Sequence, residues 1–189
     1  LLPLVAGGCM TSRTTTTDRT SVETALLSQA AEDSLARLDL SSLKGRSYYL
    51  TPVGGSSDSI KPFDARYLMD LIHRRLLLAG ALRAPSEGDA EIILHPAVAT
   101  FGIDDSSSQI GVPELPISLP GVGGFALPEV SLFKFTTQKA RHRMFLYAYD
   151  RESGQLVFLT PTVTSQRYYN RFTLLFIINF RLTNLEKPY

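Results

Sequence analysis

The stretch Asp89-Ala90-Glu91-Ile92-Ile93-Leu94-His95-Pro96-Ala97-Val98 decides how the rest of this 189-residue chain is organised. Its apolar run reads as a strand, with His95 and Pro96 near its end. Immediately upstream, Leu68, Leu71, Ile72 and Leu76 recur on one side of a predicted helix at 62–79, opened by Pro62 or Phe63 and stopped by Gly80. A Gly/Ser-rich loop at 54–59 separates that helix from Arg46-Ser47-Tyr48-Tyr49-Leu50-Thr51, whose aromatic content suits another strand. Strand, helix and strand in this order make a β-α-β unit.

Working outward, Lys44-Gly45 punctuates the chain before the first of these strands. Ahead of it, Thr20-Ser21-Val22-Glu23 has the form of a capping box, and Leu27, Ala30, Ala31, Leu35 and Leu38 follow at helical spacing, predicting a helix over 21–38. Downstream, residues 103–128 read as a loop, and 110–128 hold four prolines, four glycines and one charge, Glu114. Residues 130–138, 142–150 and 156–160 read as strands of an antiparallel meander, with a turn at 150–155 and a last strand at 172–182. The fold class expected is α+β: a βαβ unit followed by an antiparallel meander, in a mixed sheet with helices on one face. A single domain is expected over 21–189.

Charge narrows the partners. Nineteen basic and eighteen acidic residues leave a net charge of +1, so no global field draws the chain to nucleic acid. A single cysteine excludes an internal disulfide framework and any multi-cysteine metal knuckle.

That cysteine closes Leu1-Leu2-Pro3-Leu4-Val5-Ala6-Gly7-Gly8-Cys9, an apolar run, two glycines and a thiol. The pattern resembles the end of a bacterial lipoprotein signal peptide, although Ala6 stands where such peptides most often have Leu. The resemblance implies that residues 1–8 are the remnant of the signal, that Cys9 is acylated, and that 9–20 form a lipidated tether. Thr14-Thr15-Thr16-Thr17 and its polar neighbours fit a tether because they have little to bury. The competing reading of Cys9 is a free thiol in an N-terminal strand. Met10 is not the Asp that, in the resemblance, favours retention at an inner membrane, so the outer membrane is expected.

Several further stretches carry a resemblance. "LDLSSLKGRSYYL", "LLLAGALRA", "DAEIILHPAVATFGID", "GVPELPISLP" and "LPEVSLFKFTTQKARHRMFLYAYDRESGQLVF" together look like an uncharacterised family of predicted bacterial lipoproteins over 38–158, which implies no activity. More remotely, the order helix, strand, helix, strand, meander is similar to periplasmic domains of curli-type accessory lipoproteins. Fold likeness of that kind does not carry function.

Catalytic signals are weak. His73, His95 and His142 lie in separate elements without metal-ligand spacing. Ser106, Ser107 and Ser108 follow Asp104 and Asp105 without a nucleophile elbow and read as a solvated turn. Gly54-Gly55-Ser56-Ser57 lacks the rest of a phosphate-binding motif, and Asp70 and Glu91 have no spacing that couples them. No catalytic residue, metal ligand or cofactor is expected. The apolar loop carries more weight, with Val112, Leu115, Ile117, Leu119, Val122 and Phe125 as a candidate interaction surface. It is open to three readings: a flap on its own sheet, a partner groove, or a membrane contact.

These readings predict a cell-envelope lipoprotein, anchored in the outer membrane and facing the periplasm, that acts as a binding or assembly module. Its expected partners are the membrane, through the lipid anchor, and an envelope protein or further copies of itself. The alternative is a periplasmic ligand-binding or hydrolytic domain.

Overall fold

The computed structural model describes residues 19–53, 60–112, 115–119, 123–127, 130–175 and 177–186, with backbone alone at 115–119 and 123–127. Helix α1 (Ser21–Ala36) begins at the expected capping box: Thr20 Oγ1 accepts the Glu23 N–H at 3.2 Å, and the Glu23 carboxylate accepts the Thr20 N–H at 2.7 Å. After strand β1 (Ser47–Leu50), helix α2 (Pro62–Leu78) opens on Pro62, whose missing N–H is no loss in a first turn. Gly80 follows with φ +85, the left-handed conformation that ends a helix readily at glycine.

The short strand β2 (Leu82–Arg83) and the long β3 (Ile92–Val112) both run parallel to β1, completing the β-α-β unit. A small hairpin, β4 (Leu115–Leu119) with β5 (Gly123–Leu127), leads to β6 (Val130–Asp150), and β7 (Leu156–Leu159), β8 (Val163–Leu174) and β9 (Ile178–Thr183) follow. The main sheet has seven strands in the order β2-β1-β3-β6-β8-β9, with β7 also paired to β6. Every pairing after β3 is antiparallel. The sheet is therefore mixed, as expected.

Both helices cover the same face. Leu26, Ala30 and Leu35 of α1 and Leu68, Ile72 and Leu76 of α2 join Tyr48, Leu94, Ala140, Met144 and Leu146 of the sheet in one core. A register shift between Val98 and Thr100 keeps Leu94, Val98 and Phe101 all on the helix side, because an extra residue in one strand restores the alternation. Across the helices, Tyr67 donates to Glu32 at 2.7 Å. Arg167 of β8 forms a forked pair with Asp33 of α1 at 2.6 and 2.7 Å, which holds the Asp33 carboxyl below its ordinary value despite partial burial.

Three expectations fail, all in the second half. Residues 103–112, 115–119 and 123–127 are not a loop: β3 continues to Val112, and β4 and β5 pair as a separate two-stranded sheet. The serines and glycines there have little strand propensity of their own, and the pairing comes from β6, residue by residue from Ile92↔Asp150 to Val112↔Val130. Residues 130–138 and 142–150 belong to one strand of 21 residues, about 70 Å long. The last strand, expected at 172–182, is instead the end of β8, a turn and β9, paired Leu174↔Ile178 to Tyr169↔Thr183. Accordingly, Ser106, Ser107 and Ser108 stand on a strand rather than in a turn, and His95 lies near the start of β3 and not at its end.

Candidate functional site

The chemistry-bearing side chains are dispersed. His73 of α2 accepts or donates at Nδ1 with the buried Tyr48 hydroxyl, 3.0 Å away, and burial lowers its pKa. His95 meets Thr51 Oγ1 at 2.8 Å and is stacked on Tyr147 and Tyr149, with ring centroids 5.0 and 5.2 Å away. His142 is fully buried under α1, edge-on to Phe101 and in contact with Ser34 Oγ. Ser34 gives its one hydroxyl proton to Ala31 O at 2.8 Å, so Nδ1–H of His142 is the donor to Oγ. The other nitrogen, Nε2, is left buried without a partner, and desolvation pulls the His142 pKa down to about 4. A neutral, structural histidine results.

Neither of two shallow cavities gathers catalytic groups. One, of about 300 Å³, lies between Asp39, Ser41, Lys44 and Arg75. The other, of about 330 Å³, carries Asp89, Glu91, Asp150 and Glu152 beside Arg46 and Arg151. Its carboxylates are taken up locally: Glu91 accepts the Ser47 N–H, Asp89 accepts from the Ser86 hydroxyl, Glu152 pairs with Arg151, and Asp150 accepts from Ser153, which holds its pKa below the ordinary value. Asp70 is exposed on α2, far in topology from Glu91 at the start of β3. Among the described residues no group of three or more His, Cys, Asp or Glu is placed to hold a metal ion. No helix among them is long and apolar enough to cross a membrane.

The unusual surface is the outer part of the sheet, where β3, β6, β8 and β9 run past the N-terminal end of α1. On β6, Ala140, His142, Met144, Leu146 and Ala148 point at the helices and are buried. The same parity further out gives Lys134, Thr136 and Gln138, and the opposite parity gives Phe133 and Phe135. On β8 the helix-side residues Val163 and Ser165 are followed by Tyr169, Arg171 and Thr173, while Phe172 and Leu174 lie on the other side. The register from Met144↔Val163 to Phe133↔Leu174 has no break, so the apolar side changes over while the backbone does not.

Beyond that crossover the strands form an amphipathic arm. Rows Ile110, Phe133, Leu174, Ile178 and Ser108, Phe135, Phe172, Phe180 share the face away from the helices. Phe135, Phe172 and Phe180 stack at 4.7 and 4.8 Å between centroids. Yet Ile110 is 65% exposed, Ile178 52% and Leu182 56%. At the turn between β8 and β9, Leu175 (53% exposed) adopts φ +47, and Ile177 is 71% exposed. A branched apolar residue in the left-handed region of a turn is costly where Gly or Asn is the usual choice.

The candidate interaction residues are spread over this arm. Val112 ends β3 and is half exposed; Leu115, Ile117 and Leu119 lie on β4, paired with Leu127, Phe125 and Gly123 of β5. Val122, the glycine loop at 54–59 and Cys9 lie outside the described residues. Reasoning from the sequence missed Phe133, Phe135, Phe172, Ile178 and Phe180, although the change of parity along "VSLFKFTTQKARHRMFLYAYD" is there to be read.

No curated protein matches the chain. Residues 6–182, by contrast, match a family described as a family of unknown function, DUF6655. That match spans α1, the β-α-β unit and both hairpins of the arm, and the chain belongs to this family.

Proposed function

We propose that the chain is a cell-envelope lipoprotein, acylated at Cys9 and held at the outer membrane facing the periplasm, whose domain serves as a binding or assembly module through its arm. The observation that carries this is the exposed apolar face of β6, β8 and β9, opposite the face that the chain covers with its own helices. A tether on Cys9 would concentrate that face near the membrane and its proteins. In the cavity that gathers carboxylates, Glu91 and Asp150 are engaged by the Ser47 and Ser153 N–H groups, which gives a hydrolytic role no comparable support.

Intact mass of the protein from native membranes tests the anchor: acyl mass on Cys9 is expected, and Cys9→Ser should leave a folded protein released from the membrane. Unmodified Cys9 in the membrane fraction would overturn it. For the arm, replacing Leu115, Ile117 and Leu119 together by Ser should abolish co-purification with envelope partners while leaving the melting temperature unchanged. A large fall in stability with association intact would make this segment a flap instead.

A further inference from the structure

We infer that the arm enters a lipid bilayer, its apolar face against acyl chains, and that several copies close it edge to edge into a barrel wall. This rests on the reading of the arm as the working surface and names what that surface meets. Three observations point the same way. First, on β6, β8 and β9 one side of the arm is mainly apolar, with Thr137 and Asn170 at its inner limit and Ser108 beside it on β3, and the other carries Thr136, Arg171, Thr173, Asn179 and Arg181, the alternation of a strand with lipid on one side and water on the other. Arg171 and Arg181 stand directly opposite each other, a repulsive pairing that a wet lumen screens. The outer part of β3 and β6 is about ten residues long, which at the tilt of membrane strands rises about 25 Å, the height of an outer-membrane barrel's apolar band.

Second, the apolar band is bounded by charge on the same face. Going inward along β6, Phe133 and Phe135 give way after Thr137 to Lys139, Arg141 and Arg143, with Tyr168 of β8 paired to Lys139. Asp104, 3.8 Å from Arg141, is the acidic neighbour in these rows. A cationic step beside a tyrosine at the edge of an apolar band complements the phosphates of lipid headgroups. At the other end the turn carries Leu175 and Ile177, 53% and 71% exposed, a composition that suits hydrocarbon and not water.

Third, the arm has two free edges among the described residues. β1 pairs with β3 only at Ile92–Leu94, so the outer part of β3 has no strand on its far side, and β9 ends the sheet. In hydrocarbon, unpaired backbone groups cannot stand, so β9 of one copy must pair with β3 of the next. Such head-to-tail pairing joins unlike edges, and a rotation between copies that closes makes it a ring.

The test places single cysteines at 178, 179, 180, 181, 182 and 183 in the full chain, with Cys9 left in place because an acylated thiol does not react. Each is labelled with an environment-sensitive dye and added to phosphatidylcholine/phosphatidylglycerol vesicles with brominated acyl chains. Blue-shifted, quenched emission is expected at 178, 180 and 182, and water-like emission at 179, 181 and 183. Water-like emission at all six would overturn the inference and leave the arm as a protein-binding surface, whose own test is co-purification with envelope partners. Blue-shifted emission without quenching by bromine means protein covers the face, which overturns lipid contact and leaves the assembly module standing. Reaction of the dye with Cys9, read by mass, counts against the anchor alone.

Two further readouts are decisive. Changing Lys139, Arg141 and Arg143 together to Gln should remove the preference for anionic over zwitterionic vesicles; an unchanged preference overturns the headgroup assignment. With Gln109→Cys and Asn179→Cys in one chain, a bifunctional thiol cross-linker should give a ladder beyond the dimer in vesicles, and a product that stops at dimer overturns ring closure.

Discussion

The inner and outer halves of the sheet share three strands and treat them in opposite ways. Inside, the apolar residues of β6 and β8 face α1 and α2 and disappear into a core where Leu26, Ile72, Met144 and Leu146 are fully buried. Outside, with the backbone register unbroken, the apolar residues face the other way, where no helix lies among the described residues. His142 and Phe135, both on β6, show the consequence: a polar ring sits buried under α1, while an aromatic ring sits on the open face. The inner half is stabilised by the chain itself. The outer half leaves its apolar surface exposed among the described residues.

That comparison can be broken or sharpened by measurement. The largest effect is expected inside: Ile72→Ala should cost about 2–5 kcal/mol in urea unfolding, because the cavity cannot refill under two packed helices. A cost under about 0.5 kcal/mol would mean that α2 does not hold the sheet. Next comes acid. His142 has a folded pKa of about 4 against an ordinary 6.5, so as pH falls the unfolded chain takes the proton first. Stability present above pH 6.5 should therefore be lost between pH 6.5 and 4, by on the order of 3 kcal/mol, and His142→Phe should flatten that part of the profile. An unchanged profile in the variant would show that other groups set the acid response.

At the outer end, Gly111 has φ +152, and a Cβ there would lie 2.2 Å from the Val130 carbonyl oxygen. Gly111→Ala should cost about 1–3 kcal/mol, felt as faster amide exchange in the arm and not under the helices. The smallest effect on folding belongs to the exposed face. Replacing Ile178, Phe180 and Leu182 together by Ser should cost about 1 kcal/mol, mostly the Phe172–Phe180 stack, while ending vesicle insertion. A cost comparable to that of Ile72→Ala would erase the distinction between the halves.

Elements whose reasons lie within a few residues were legible from the amino acids alone. The capping box at Thr20 and Glu23, Pro62 in a first turn, Gly80 after a helix and the 3.6-residue spacing of Leu68, Leu71, Ile72 and Leu76 each act locally, and each stands in the structure as expected. The α+β class followed from their order. What the tertiary structure decided is everything that depends on distant partners. Residues 103–112 have weak strand propensity and become a strand only because 130–140 run alongside, and Leu175 turns the chain only because β8 and β9 pair around it. Whether Phe133, Phe172 and Phe180 are core or surface was likewise undecidable from spacing, since alternation says that one face is apolar and not which face the helices occupy. Only the packing of α1 on the inner half of β6 and β8 settles that the apolar face of the arm looks away from them.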